Sequence, residues 1–418
     1  MSPTTRSAAA LAAIALSVLL AGPVLGGLLV AALVGAFVAD ARAARRPPRA
    51  RRRVAAIVPR GAPSELVVDL LDGDADARRM RVRQARVSDV EVVPQEAEGT
   101  LRAQLVGHRR GRRVLPPAVV RAEGPFGLAT WDHPVGEATE LLVYPDLPAA
   151  RRLALAVRAG RFRESGRRSR GPLGLGTEFE SIRDYEPDDD IRQVNWAATV
   201  RLGRPMSNQY RIEQDRDVIC VLDCGRLMAA PLAAGATRLD AAVDAATAVG
   251  LVADELGDRC GTLAFDGELR RRISPRRLGG EALVRAVFDL QPSAQDSDYE
   301  LAFRHVTSSK RALVIVFTDL IEEVAARSLI EAVPILARRH EVLVAGVIDP
   351  DLDAMLRVEP ARELDVYRAA AALDVLAARE RAAARVRAAG ARVLETAPRA
   401  LGEACVGEYL RAKSRARL

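Results

Sequence analysis

The sequence predicts a multi-domain chain: an N-terminal transmembrane segment, a small all-β sandwich, and an α/β domain of Rossmann type built on a mostly parallel sheet. Three patterns predict it. Residues 8–39 carry no charged side chain. Short alternating apolar runs, separated by turn residues, fill residues 54–145. From Asp217 onward, apolar strand-like runs alternate with helical segments, the order that sets parallel strands beneath helices on both faces. A length of 418 residues gives room for two or three domains, and 49% hydrophobic residues suffice for sizeable cores. With aromatics at only 4%, those cores must rest on Ala, Val and Leu.

The uncharged stretch is longer than the about 20 apolar residues that one upright span needs and short for two. Gly22-Pro23 and Gly26-Gly27 interrupt it. A tight helical hairpin fits best, with helices over 8–21 and 24–39. One long tilted helix, or a signal peptide followed by a stop-transfer segment, are the alternatives. In each case seven arginines come next: Arg42, Arg45, Arg46, Arg49, Arg51, Arg52 and Arg53. Residues 1–53 hold these and Arg6 against the one acid Asp40, which accounts for the whole net charge of +7. A basic excess confined to the flank of an apolar segment is a topology signal and not a nucleic-acid footprint, so no nucleic-acid partner is expected. The positive-inside rule places the protein in the cytoplasmic membrane, with residues 54 onward in the cytoplasm. Cys220, Cys224, Cys260 and Cys405 form no CxxC pair and are expected as buried free thiols.

Residues 1–53 are thus the anchor and basic linker, and 54–145 the sandwich. Residues 146–216 form a polar, irregular connector with one helical start near Ala150. Residues 217–418 form the α/β domain, with strands at "VICVL", "GTLAF", "LRRRIS", "ALVIVF", "EVLVAGVI" and "ARVLE". Its helices are expected over 237–256, at "GEALVRAVFDL" and "EEVAARSLIEAVPILARR", over 361–389, and near 401–413.

Most catalytic motifs are missing. Neither lysine, Lys310 or Lys413, lies in a P-loop, and HExxH and GxSxG do not occur. Gly171, Gly174 and Gly176 do not match a dinucleotide fingerprint and read as a flexible loop. Ligands of open α/β sheets bind beyond the carboxyl ends of the strands. There the sequence offers Asp223, Asp319 and the loop residues Asp296, Ser297 and Asp298. Such hard oxygens suit Mg²⁺ or Mn²⁺; the same residue types also serve as helix N-caps and loop acids. A second cluster sets Phe179, Tyr185 and Trp196 among Glu178, Arg183, Asp184, Asp188, Asp189, Asp190, Arg192 and Arg201. It reads either as a docking surface or as a connector pinned by paired charges.

That second cluster resembles the signature of the bacterial family called domain of unknown function fifty-eight, of the form GxGxEFxxLRxYxPGDDxRxIxWxxxAR. The matching residues are Gly174, Gly176, Glu178, Phe179, Ile182, Arg183, Tyr185, Pro187, Asp189, Asp190, Arg192, Val194, Trp196 and Arg201, with Asp188 where glycine is usual. "GPFGL" from Gly124 and "LLVYP" from Leu141 resemble the end of the family's β-sandwich. The resemblance implies a von Willebrand factor A-like α/β domain. It also implies a degenerate metal-ion-dependent adhesion site, with Asp223, Ser297 and Asp319 in its skeleton and Mg²⁺ or Mn²⁺ as the ion such a site would take. Gly225 and Leu227 stand where that site has two ligand serines. It further implies a MoxR-type AAA+ ATPase as partner, and a non-catalytic membrane-anchored adaptor working in protein maturation or envelope processes. The rival expectations are a metal-assisted hydrolase using Asp223, Asp319 and the Asp188–Asp190 run, and an envelope-assembly factor that needs no ATPase.

Overall fold

The computed structural model describes the chain except for residues 1, 22, 72–79, 163–177, 187, 188, 190, 212–215, 233, 234, 307, 309, 321–325, 358, 360, 361 and 415–418. It divides into two compact units, Met1–Tyr144 and Pro145–Leu418.

The first unit opens with a two-residue strand β1 (Ser2–Pro3) and two helices, α1 (Thr5–Ala21) and α2 (Pro23–Ala44). Pro23 opens α2, where its missing N–H and fixed φ suit the first turn of a helix; Gly22 lies outside the described residues. The window Gly26–Ala44 is long and apolar enough to cross a membrane. α2 runs five residues beyond the expected Ala39, and Arg42 in its last turn complements the helix dipole.

Among the described residues, eleven strands come after these helices: β2 (Ala50–Val54), β3 (Ile57–Pro59), β4 (Ser64–Leu70), β5 (Met80–Arg83), β6 (Val90–Val93), β7 (Glu96–Glu98), β8 (Leu101–Gly107), β9 (Gly111–Leu115), β10 (Ala118–Glu123), β11 (Ala129–Val135) and β12 (Thr139–Tyr144). They form sheets ordered β1-β11-β10-β5-β7, β2-β4-β8-β6 and β3-β12-β9, antiparallel apart from the β3–β12 pair. Alternation sets the inward residues: in β8, Leu101, Ala103 and Leu105 are buried while Arg102 and Gln104 are exposed. They join Val68, Val82, Val120, Leu141 and Val143 in one core fed by all three sheets.

One buried acid fastens α2 to these strands. Asp40, 0% exposed, accepts hydrogen bonds from the backbone N–H groups of Phe126 (2.7 Å), Leu128 (2.6 Å) and Ala129 (2.8 Å). Gly124 makes room for it: a Cβ there would lie 2.3 Å from the Asp40 carboxylate.

The second unit begins with α3 (Leu147–Arg158), N-capped by the Asp146 side chain. The connector, expected as irregular, instead contains a hairpin of β13 (Glu178–Asp184) and β14 (Met206–Arg211), with α4 (Trp196–Leu202) between them. Asn195 caps α4, and Gly203, at φ +66°, ends it in the left-handed conformation glycine favours. The strand pattern was hidden because "EFESIRD" and "MSNQYR" are mostly polar.

A six-stranded sheet carries the rest: β15 (Asp217–Asp223), β16 (Arg259–Phe265), β17 (Leu269–Arg276), β18 (Ala312–Phe317), β19 (Glu341–Val347) and β20 (Arg392–Thr396). Its order is β17-β16-β15-β18-β19-β20, and only β17 runs antiparallel to its neighbour. The mostly parallel pairing expected for the α/β domain holds in this sheet, while the other sheets of the described residues are antiparallel apart from the β3–β12 pair, so antiparallel pairs predominate among the described strands. Strands β15, β18 and β19 are buried along their entire length, which explains their unbroken apolar runs.

The helices of the unit are α5 (Arg238–Glu255), α6 (Gly279–Val287), α7 (Tyr299–Arg304), α8 (Arg327–Ala337), α9 (Pro350–Arg357), α10 (Glu363–Ala388) and α11 (Leu401–Ser414). Thr237 and Asp240 close a capping box on α5. The single helix expected over 361–389 is preceded by a separate α9, and α7 was not foreseen at all. All four cysteines are free and buried.

Replacing Asp40 with alanine leaves three N–H groups without their acceptor. At about 1–3 kcal/mol for a buried unsatisfied group, Asp40→Ala is expected to lower the melting temperature of the detergent-solubilised protein clearly. Asp40→Asn should do so less, and Gly124→Ala should resemble Asp40→Ala. An unchanged melt for Asp40→Ala would show that the carboxylate does not hold the helix.

Candidate functional site

The order of the six-stranded sheet reverses between β15 and β18: the chain leaves β15 for β16 on one side and later returns to β18 on the other. In open α/β sheets the crevice at such a reversal, outside the carboxyl ends of the strands, is where ligands bind. Asp223 ends β15, and Thr318-Asp319 comes directly after β18.

The Asp223 carboxylate is 1% exposed and fully engaged. Its Oδ1 accepts from the Gly225 backbone N–H at 2.8 Å and from the Ser297 hydroxyl. Its Oδ2 accepts from the Tyr299 hydroxyl at 2.6 Å and from Thr318 Oγ1 at 2.7 Å. Tyr299 and Thr318 also meet each other at 2.8 Å. Burial, and then the neighbouring Asp223 charge, push the Tyr299 phenol well above its ordinary value, so it stays a neutral donor. Phe265 and Phe303 pack edge-on against the Tyr299 ring, at 5.3 and 6.0 Å between centroids.

Asp319, one residue beyond Thr318, is held differently. Arg238, at the start of α5, forms an ion pair with its Oδ2, and Arg379 of α10 donates to its Oδ1 at 2.8 Å. Arg379 also reaches Glu395 at 3.1 Å and the Val347 carbonyl at 2.8 Å. Two acids and two guanidiniums thus balance in charge behind the sheet edge. Burial, and then the Arg379 charge, lower Arg238 to about 10, which leaves it cationic at neutral pH. Removing one partner of such a buried pair costs about 3–5 kcal/mol.

The expected cation ligands are therefore partly assembled. Asp223 and Ser297 touch, while Asp319 turns to its arginines. Asp296 pairs with Arg226, and Asp298 caps α7 through the Leu301 N–H at 2.9 Å. These residues do not fit a hard divalent ion. Every Asp223 oxygen already faces donors, and Leu227 brings no side-chain oxygen. A Cβ at Gly225 would fall 2.1 Å from Ser297 Oγ, so a ligand serine could not stand there without displacing Ser297. Among the described residues, no group of three His, Cys, Asp or Glu could hold a metal.

The connector cluster resolves into a turn and an exposed face. Asp189 accepts from Arg183 at 2.5 Å and from the Glu186 N–H at 3.0 Å, while Tyr185 donates to the Asp189 carbonyl at 3.2 Å. The Arg183 contact holds the Asp189 carboxyl below its ordinary value. Trp196, by contrast, is 66% exposed, and Val200, one helical turn on, is 84% exposed. Arg201 is exposed beside them. Glu178 and Phe179 lie on β13 and Arg192 in a short 3-10 turn. Gly171, Gly174, Gly176, Pro187, Asp188 and Asp190 lie outside the described residues.

Sequence reasoning missed Tyr299, Thr318, Arg238, Arg379 and Glu395. Two signals were available: Tyr299 stands two residues after Ser297, and Thr318 directly precedes Asp319.

Comparisons with known proteins agree in part. Residues 181–362 match the family model described as "Protein of unknown function DUF58". An uncharacterised protein of Mycobacterium bovis, and counterparts in two strains of Mycobacterium tuberculosis, are each 28% identical over 187 residues, covering 42% of this chain and 56% of theirs. The chain thus spans little more than half the length of these curated relatives. Among solved structures, a cohesin module from a Clostridium perfringens family 33 glycoside hydrolase matches 24% of this chain and 98% of its own at 11% identity. Its TM-score of 0.16 supports no inference.

Tyr299 and Tyr409 are both fully buried beside carboxylates, which raises them well above the ordinary value. A tyrosine whose folded value exceeds its unfolded value of about 10 lends stability that is complete below about pH 10 and lost as pH rises through the folded value. In an alkaline spectrophotometric titration, these two phenols are expected to ionise only as the fold is lost. The Tyr299→Phe, Tyr409→Phe variant should lack that late step. Ionisation of all six tyrosines before any loss of structure would contradict the Tyr299 assignment.

Proposed function

We propose that this protein is a non-catalytic adaptor of the cytoplasmic membrane. Its α/β unit, read as von Willebrand factor A-like, presents the sheet edge and the β13–β14 arm to a MoxR-type AAA+ ATPase or its client. The observation that carries this reading is the saturation of Asp223. A carboxylate that accepts from Ser297, Tyr299, Thr318 and Gly225 has no oxygen left to act as base or nucleophile, and Asp319 is likewise committed to Arg238 and Arg379. The crevice is built to hold its shape. The sheet order, with a single reversed strand next to one edge-side neighbour, agrees with the von Willebrand factor A-like reading.

The partner-facing element on this reading is the arm. Trp196 and Val200 form an exposed apolar pair on α4, and tryptophan is among the residue types most enriched at interface hot spots. The arginine-rich flank of α2 supports a cytoplasmic placement of residues 54 onward. Trp196→Ala with Val200→Ser is expected to weaken binding of the full-length protein to the purified ATPase at least tenfold, with the melting temperature unchanged. Asp223→Asn should act only to the extent that it unfolds the edge. Unaltered binding by the arm variant, or no binding by the wild type with any nucleotide, would reject this assignment.

A further inference from the structure

The segment 123–130 receives both ends of the helical hairpin. β1 pairs with β11 through Ser2–Thr130 and Pro3–Ala129, and Thr4 Oγ1 donates to the Gly127 carbonyl at 2.6 Å. At the other end, Asp40 takes the N–H groups of Phe126, Leu128 and Ala129, and His133 Nε2 meets the Ala44 carbonyl at 2.8 Å. From these fastenings the two helices run out and back. At 1.5 Å per residue, the 17-residue α1 reaches about 25 Å and the 22-residue α2 about 33 Å, close to the roughly 30 Å hydrocarbon thickness of a bilayer.

An ionisable side chain is costly in hydrocarbon unless it is paired. Asp40, satisfied by the amides of this segment, therefore marks the depth at which α2 leaves the lipid, and the segment lies at that depth. Its side chains have interfacial character. Phe126 is 61% exposed, and the Arg45 guanidinium sits over the Trp131 ring at 5.3 Å. Arg42, Arg45 and Arg46 are exposed. Not every arginine of the basic run shares this placement. Arg52 is drawn inward to the Pro116 and Glu137 carbonyls and Thr139, and Arg53 pairs with Asp69 at 2.6 Å.

We propose that Phe126, Trp131 and Arg42, Arg45 and Arg46 form a lipid-contacting collar that seats the first unit on a bilayer surface rich in anionic headgroups. Aromatic rings at headgroup depth and arginines against acidic lipid are the two interactions such a surface rewards. The proposal rests on the membrane-anchored reading above.

The test reconstitutes full-length Phe126→Cys, labelled with an environment-sensitive fluorophore, into phosphatidylcholine vesicles with and without phosphatidylglycerol. Val114→Cys, at an exposed apolar position on β9, serves as reference. Flotation of the vesicles reports the anchor, and quenching by lipids brominated near the headgroup reports the collar. The expected result is flotation of both proteins with several-fold stronger quenching at 126 than at 114. Arg42→Glu with Arg46→Glu should reduce that quenching only where phosphatidylglycerol is present. Flotation with equal quenching at both sites would overturn the collar and leave the anchor standing. Failure to float would overturn both.

Discussion

A carboxylate at the end of a fully buried central strand must be supplied with donors, and the rest of the second unit is arranged around that requirement. Asp223 ends β15, the strand at which the sheet order reverses. Its four donors come from three separate places: the turn after β15, the loop and helix start at 297–299, and the end of β18. Each hydrogen bond therefore ties a different connection to the same point. The aromatic contacts of Tyr299 extend the tie into the apolar core beneath the sheet.

Three of the buried acids solve the same problem with different donors. Asp223 is answered by three hydroxyls and one backbone N–H, Asp319 by two guanidiniums, and Asp40 by backbone amides. None is left to attract an external proton or cation, and each joins segments far apart in sequence. This is what is expected of a chain whose acids serve architecture. It also explains how two acids can be accommodated at the edge of the sheet. Gly225 and Ser297 exclude a side chain at 225, and the positive charge near Asp319 is provided from within by Arg238 and Arg379. On the proposed reading, binding at this edge depends on shape and on the arm rather than on a bridging ion.

Much of the fold was legible because burial leaves a periodic trace. The continuous apolar runs of β15, β18 and β19, the alternation in β8, and the extent of α5 all read directly from the residues. The start of a new helix near Pro23 did as well. What stayed hidden had no periodicity to show. The β13–β14 hairpin is polar, and α7 and α9 span only six and eight residues. At the site, Asp223, Ser297 and Asp319 could be named from type and spacing, but their partners could not. Arg379 lies 60 residues from Asp319 on a helix whose arginines look alike, and only the fold selects one of them. Asp40 was counted as a lone charge beside the arginines, since nothing local marks it as the acceptor of amides 86–89 residues away.

The central claim is that internal donors and cations satisfy the acids at the edge of the sheet and leave no place for a divalent ion. Isothermal titration of Mg²⁺ and of Mn²⁺ into chelator-treated full-length protein tests it most directly. The account predicts no saturable heat and no gain in melting temperature, since a ligand that binds only the folded state must raise stability. Saturable binding that stabilises the protein and disappears in Asp223→Asn would contradict it, and would mean that Ser297 and the arginines rearrange to admit the ion.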